Sequence, residues 1–226
     1  MSGNEAIARG AYEAGVRFAA AYPGTPSTEI LEEFSKYDGV YAEWSPNEKV
    51  AVEVTIGAAL AGEKALAVMK HVGVNVAADP IFTVSYTGIN GALVIVSADD
   101  PSLHSSQNEQ DNRNYARFAK IPMLEPADAQ EAKEYIKLAF AISEKFDTPV
   151  FLRSTTRVAH SKAVVTLTEP EKYKDKTGFT YNAEKYVMVP VNARTQRVEV
   201  EKRQQALKEF VEIFPENKME ISNPDV

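Results

Sequence analysis

Glu43-Trp44-Ser45-Pro46-Asn47-Glu48-Lys49-Val50-Ala51-Val52-Glu53-Val54-Thr55-Ile56-Gly57-Ala58-Ala59-Leu60-Ala61-Gly62 runs from a strand-like segment through a helix-start signal into a helix of small side chains. Ser45 is placed to cap, Pro46 suits the first helical position, and Glu48 follows Ser45 by three residues, the spacing of a capping box. Of the six residues 57–62, five are Gly or Ala, so this helix can bring its backbone close to another backbone or to a flat ligand. Glu48, at the mouth of such a helix, has two readings: it satisfies backbone donors, or it is a buried acid aimed at something bound there.

Outward from this stretch, strands and helices alternate. A helix over 4–14 ends at Gly15, a left-handed cap position. A strand at 16–21 leads through the turn Tyr22-Pro23-Gly24-Thr25-Pro26-Ser27-Thr28 to a helix over about 26–36, with Thr25 as its expected cap. Strands follow at 40–44 and 65–69, a loop at 70–75 and a helix at 80–86. Ala92 to Val96 is apolar throughout, as in a strand covered on both faces. A polar loop runs from Ser97 to about Asn114, and a short strand lies at 121–124. Over 128–146, Ala132, Tyr135, Ile136, Ala139, Phe140 and Ile142 share one helical face. A last strand falls at 149–152. The order predicts an α/β fold: a doubly wound, mostly parallel sheet with helices on both faces, built by right-handed crossovers.

That domain is assigned to residues 1–165, and residues 166–226 to a charged appendage or connector leading to further domains. From 170 to 226 ten Lys/Arg balance ten Asp/Glu, so the whole net charge of -7 lies in 1–169. Within the appendage, 173–186 shows no period, 187–191 reads as extended, and a charged helix is expected over about 198–213. No apolar run approaches the roughly 20 residues that cross a bilayer. The acidic balance, without Lys/Arg runs interleaved with aromatics, argues against nucleic acid. The chain has no cysteine, which removes disulfides, thiolate catalysis and iron–sulfur ligation by its own side chains. The start of the chain shows no basic-then-apolar signal pattern, and a cytoplasmic location is expected.

In an open parallel sheet ligands bind beyond the carboxyl ends of the strands. The conspicuous polar motifs all fall in loops after successive strands: 22–28, 43–48, 70–75, 99–111 and 153–157. Tyr22-Pro23-Gly24-Thr25-Pro26-Ser27-Thr28, Ser45-Pro46-Asn47-Glu48-Lys49, Met69-Lys70-His71-Val72-Gly73-Val74-Asn75 and His104-Ser105-Ser106-Gln107-Asn108-Glu109-Gln110-Asp111-Asn112-Arg113 occur in that order. Together they resemble the N-terminal, pyrimidine-binding domain of the thiamine-diphosphate-dependent 2-oxoacid:ferredoxin oxidoreductases. The last run resembles the alpha subunit of the indolepyruvate branch.

The resemblance implies oxidative decarboxylation of an aryl 2-oxoacid (indolepyruvate) to its acyl-CoA, with electrons passed through iron–sulfur clusters to ferredoxin. Glu48 matches the glutamate that shares a proton with N1′ of the aminopyrimidine and so is the implied catalytic acid. Gly24, Thr25, His71 and Gly73 are implied to line the cofactor. Thr25, Ser105, Ser106, Gln107, Asn108 and Arg113 are implied to face the substrate. The residues themselves leave blander readings open. Thr25 can simply cap a helix, His71 can be a hydrogen-bonded structural histidine, and Gly73 can permit a close backbone approach. The 105–113 loop can be solvated, and Arg113 can pair with Asp111 or Glu109. Glu53, Asp99 and Asp100 are read as structural, and no metal ligand set is identified.

Two departures from the family's full pattern matter. No Gly-Asp-Gly segment followed some thirty residues later by Asn-Asn is present, so diphosphate and magnesium are expected on another domain. With no cysteine, the iron–sulfur clusters belong to other segments or a partner such as the beta subunit. The chain alone is expected to be inactive and to work within a homo- or hetero-oligomer. Competing readings are the same chemistry on pyruvate or 2-oxoglutarate, and a non-catalytic binding or assembly module of the same fold. A nucleotide-binding domain is disfavoured, since no Gly-x-Gly-x-x-Gly follows the first strand.

Overall fold

Hydrophobic alternation builds one sheet with two helical layers in the computed structural model, which describes residues 1–172 and 178–217. The first part of the chain forms α1 (Gly3–Glu13), β1 (Phe18–Ala21), α2 (Thr28–Phe34), β2 (Tyr41–Trp44), α3 (Glu48–Leu60) and β3 (Lys64–Lys70). Next come α4 (His71–Val76), α5 (Ala78–Thr87), β4 (Ala92–Asp99), α6 (Arg113–Ala119) and β5 (Met123–Leu124). The series ends with α7 (Ala129–Phe146), β6 (Val150–Thr155), α8 (Thr156–His160), α9 (Ala183–Tyr186) and α10 (Pro190–Glu212). Residues 173–177 of the aperiodic stretch and 218–226 at the end of the appendage lie outside the described residues.

The sheet has six strands in the order β2-β1-β3-β4-β6-β5, every neighbouring pair parallel. The winding direction reverses between β1 and β3, so the switch point, where open sheets place ligands, lies between their carboxyl ends. Successive side chains of β3 and β4 divide between two cores. Leu66, Val68, Val94 and Val96 pack with α1, α2 and α7. Ala65, Ala67, Met69, Leu93 and Ile95 pack with α3, α5 and α6 on the other face. Among the described residues no helix is long and apolar enough to cross a membrane.

Several local expectations are corrected by tertiary contacts. Ser45 does not cap α3. Its N–H bonds to Ala21 O at 2.8 Å, extending the β1–β2 pairing, and the helix starts later. Asn47 is the cap: it is extended, and its side chain accepts from Val50 N at 3.0 Å. Glu48 is therefore the first helical residue and belongs to no capping box. Thr25 does not cap α2 either. Gly24 N donates to Thr28 Oγ1 (2.9 Å) and Ser27 Oγ to Gly24 O (2.8 Å), which closes the turn before the helix begins.

Most of the segment 70–75, read as a loop, belongs to α4 (His71–Val76) despite poor helix formers, because His71, Gly73 and Val74 are buried on their neighbours. The small stretch of α3 divides between two environments. Val52, Thr55 and Ala59 face the core, whereas a Cβ at exposed Gly57 would meet nothing within 4 Å. Within the chain a close approach occurs at Gly10, where a Cβ would lie 2.4 Å from Lys133 O, so α1 packs tightly on α7.

The appendage crosses the amino ends of the strands. Arg203 donates to Ser85 O (2.8 Å), Gln204 to Lys120 O (2.7 Å) and Lys185 to Ile89 O (2.8 Å), all just before or near strand starts. Val200 and Leu207 of α10 are buried. The helix starts at Pro190, so it takes in the end of the segment read as extended. The appendage's last described residues, Phe214, Glu216 and Asn217, lie beside Leu124 and Glu125 at the end of the edge strand β5.

Candidate functional site

Three loops converge at the switch point. The turn after β1 brings Gly24 against β3: a Cβ there would lie 3.0 Å from Lys70 Cβ. Thr25 is exposed on this turn. Glu48, in the first turn of the crossover helix α3, reaches the start of α4. A Cβ on Gly73 would stand 2.6 Å from both Cγ and Oε1 of Glu48. Only glycine at 73 leaves the glutamate where it is. The Glu48 carboxyl is partly buried there and makes no hydrogen bond or ion pair with any described residue. An acid that neither caps its helix nor meets a cation is available to a ligand.

The loop between β4 and α6 is drawn onto the same edge by buried anchors. Asp100 accepts from Ser105 N (2.8 Å), His104 N (3.2 Å), Ser106 Oγ (2.5 Å) and Thr156 Oγ1 (2.7 Å). Burial works to raise the pKa of Asp100, but those bonds, led by the Ser106 hydroxyl, outweigh it and hold the carboxyl well below the usual range. Lys70 Nζ donates to Ser105 O at 2.5 Å. His71 is fully buried, with Nε2 3.1 Å from Asn108 O. A carbonyl only accepts, so this bond assigns the proton to Nε2.

The expected substrate-facing residues therefore divide. Ser106 is spent on Asp100, and Ser105 and Asn108 contribute backbone atoms to the anchors. Gln107 is exposed and unbonded to any described residue. Arg113 is exposed and forks onto Asp111, with Nε and Nη2 each at 2.8 Å.

Residues given no functional role in the sequence reading complete the site. Asn112 is fully buried and donates through Nδ2 to His71 O (3.1 Å) and Ser97 Oγ (2.7 Å). Asp99 accepts from Asn112 N (3.1 Å) and Arg153 Nε (2.7 Å). Burial pushes the Asp99 carboxyl up by more than Arg153 beside it draws it down. The one signal available was position: Asp99 ends a mostly apolar strand, Asp100 follows it, and Asn112 precedes a helix start. Among the described residues no group of three or more His, Asp or Glu could hold a metal ion. Tyr22 (40% exposed) and Trp44 (45%) flank the edge at the ends of β1 and β2. A cavity of about 800 Å³ opens elsewhere, between α9, α10 and the end of α7, and its lining mixes Lys145, Lys185, Lys202 and Arg203 with Asp147, Glu184 and Glu199.

This arrangement has counterparts. The family described as pyruvate flavodoxin/ferredoxin oxidoreductase, thiamine diphosphate-binding, matches residues 9–217. Indolepyruvate oxidoreductase subunit IorA of Archaeoglobus fulgidus is 55% identical over 203 residues, covering 86% of this chain and 32% of that protein. Its namesake in Methanothermobacter marburgensis is 48% identical over 222 residues, 97% of this chain and 36% of the relative. The 2-oxoglutarate synthase subunit KorA of Methanothermobacter thermautotrophicus is 28% identical over 197 residues, 83% of this chain and 52% of that protein. The chain thus spans about a third of the length of its indolepyruvate oxidoreductase relatives. A solved 2-oxoglutarate:ferredoxin oxidoreductase from Magnetococcus marinus shares the fold, with a TM-score of 0.69 at 17% identity over 93% of this chain and 45% of that one. A parallel sheet with an unspent glutamate at its switch point and a family match over nearly its whole length leave one assignment: the chain belongs to the thiamine diphosphate-binding family of pyruvate flavodoxin/ferredoxin oxidoreductases.

Proposed function

We propose that this chain supplies the pyrimidine-binding side of the thiamine diphosphate site in an enzyme that oxidatively decarboxylates aryl 2-oxoacids, indolepyruvate foremost, to acyl-CoA with ferredoxin as acceptor. The carrying observation is the Glu48 carboxyl, without a partner among the described residues and set against Gly73 at the switch point. These residues fit the cofactor: the acid is free to bond a ring nitrogen, and glycine at 73 leaves room for the Glu48 side chain to stay there. Thiamine diphosphate, when bound, supplies a nucleophilic carbon that adds to a ketone and takes up the electron pair left by departing carbon dioxide. Glu48 holds and exchanges a proton at the aminopyrimidine N1′, Gly24 and Thr25 line that ring with the buried His71 and Gly73 forming the layer behind it, and Thr25 also meets the substrate. The loop carrying Ser105, Ser106, Gln107, Asn108 and Arg113 faces the 2-oxoacid, with Gln107 and Arg113 presenting side chains and the others fixing its shape.

The preference for indolepyruvate is supported by relatives of that name at 55% and 48% identity against 28% for the 2-oxoglutarate synthase subunit. Residues 1–165 act as the binding domain and 166–226 as a connector. The diphosphate and magnesium sites, the iron–sulfur clusters and the contact with ferredoxin lie on further domains or on a beta subunit, in a cytoplasmic oligomer. The test is viologen reduction by the complete complex after removal of thiamine diphosphate. Activity is expected only on readdition of the cofactor with coenzyme A, and kcat/KM for indolepyruvate is expected to exceed that for pyruvate or 2-oxoglutarate ~10-fold or more. Turnover without the cofactor, or a preference for 2-oxoglutarate, overturns the assignment.

A further inference from the structure

We propose that Asn112 is a positioning residue that ties helix α4, and through it the Gly73–Glu48 contact, to the loop between β4 and α6. The proposal rests on the thiamine reading above for its functional consequence, but its structural content stands on hydrogen bonds. The Glu48 side chain lies directly against the backbone of Gly73, with Oε1 2.6 Å from where a Cβ would begin, so a shift of that backbone reaches the carboxyl. Gly73 sits in the six-residue helix α4, whose Val-Gly-Val-Asn-Val run has little helix preference of its own. The register of α4 is therefore set from outside.

Three bonds join its start to the loop: Lys70 Nζ to Ser105 O at 2.5 Å, His71 Nε2 to Asn108 O at 3.1 Å, and Asn112 Nδ2 to His71 O at 3.1 Å. Asn112 is the joint among them. Its one amide nitrogen also donates to Ser97 Oγ on β4 (2.7 Å), and its backbone N–H bonds to Asp99 (3.1 Å). One fully buried side chain thus fixes the first residue of α4, the end of the central strand and the end of the loop relative to one another. Removing it leaves the His71 carbonyl and the Ser97 hydroxyl without that partner inside the protein. A loop that faces the 2-oxoacid and a helix that seats the acid then move as one unit, so a change on the substrate side reaches the cofactor side.

The experiment uses the complete complex with Asn112→Ala and, as a variant outside the buried cluster, Lys70→Met. Hydrogen exchange of residues 71–76 and 102–111 is followed together with kcat, KM for the 2-oxoacid and the dissociation constant of thiamine diphosphate. Asn112→Ala is expected to speed exchange in both segments while β4 keeps its protection, to lower kcat ~10-fold, and to weaken cofactor binding. Lys70→Met is expected to move both segments in the same direction by less, and it decides the matter if Asn112→Ala does not fold. Exchange that rises in 102–111 alone in either variant, or a raised KM at unchanged kcat, overturns the coupling. Failure of the wild-type complex to bind thiamine diphosphate would instead overturn the functional reading, and the exchange data would still judge the coupling.

Discussion

Glu48→Gln in the complete complex is expected to lower indolepyruvate-dependent viologen reduction by about a hundredfold or more, the scale of a positioned proton donor, with no loss of thermal stability. The structure separates these two outcomes. Asn47, not Glu48, caps α3, and the Glu48 carboxyl makes no hydrogen bond or ion pair with a described residue. Exchanging it for an amide of the same shape should therefore stay within ~0.5 kcal/mol in stability. Glutamine keeps the contact with Gly73 but cannot take up and return a proton. Gly73→Ala approaches the same site from the other side: its Cβ would fall 2.6 Å from Glu48 Oε1 and Cγ, so the carboxyl must swing away. Loss of activity with both folds intact fixes Glu48 as the proton partner. Activity of Glu48→Gln within about threefold of wild type would return the residue to the solvated surface and sink the catalytic reading.

What the sequence revealed and what it concealed follow a physical division. Ala92–Val96 and the one-sided apolar pattern of 128–146 predict their elements well, since burial on both faces or on one stripe writes directly into residue type. Asp128 caps α7 one residue before its observed start. The misread starts and ends depend on partners distant in the chain. Ser45 is claimed by Ala21 of the neighbouring strand, and α4 is held by contacts to residues some forty positions later. The same holds at the site. Motifs after successive strands pointed to one edge, and the sheet order brings Glu48 to Gly73 and His71 to Asn108. Which of them serve the loop's shape is legible only in part: the pairing of Arg113 with Asp111, two residues away, is one of the readings the sequence offers, whereas no local pattern encodes the donation of Ser106 to Asp100.

Away from the site, Glu13→Gln is expected to destabilise the fold by ~3–5 kcal/mol near neutral pH, the range for breaking a buried ion pair from one side. Glu13 and Lys133 are both fully buried side chains, with Oε2 3.1 Å from Nζ. The carboxyl also accepts from Arg9 Nε (2.8 Å) and Thr168 N (2.8 Å), and from the Thr168 hydroxyl (2.5 Å), so it pins the start of the appendage to α1 and α7. Burial alone would raise its pKa. The Thr168 hydroxyl, Arg9, the Thr168 N–H and Lys133 together draw it from 4.5 down to about 2. A pKa depressed on folding stabilises the native state above the unfolded value, and that contribution fades as pH falls from about 4.5 toward 2. At 1.36 kcal/mol per pH unit the shift corresponds to about 3 kcal/mol, in line with the mutational range. Glutamine mimics the protonated acid, so the stability gap between wild type and Glu13→Gln in urea unfolding should narrow steadily across that acid interval. In Glu13→Gln the Lys133 ammonium keeps Glu134 (2.8 Å) but loses its buried partner, so the double variant Glu13→Gln/Lys133→Met removes that charge as well and should recover part of the loss. A gap that stays constant between pH 5 and pH 3 would show that the carboxylate's charge is not what holds α1, α7 and the appendage together.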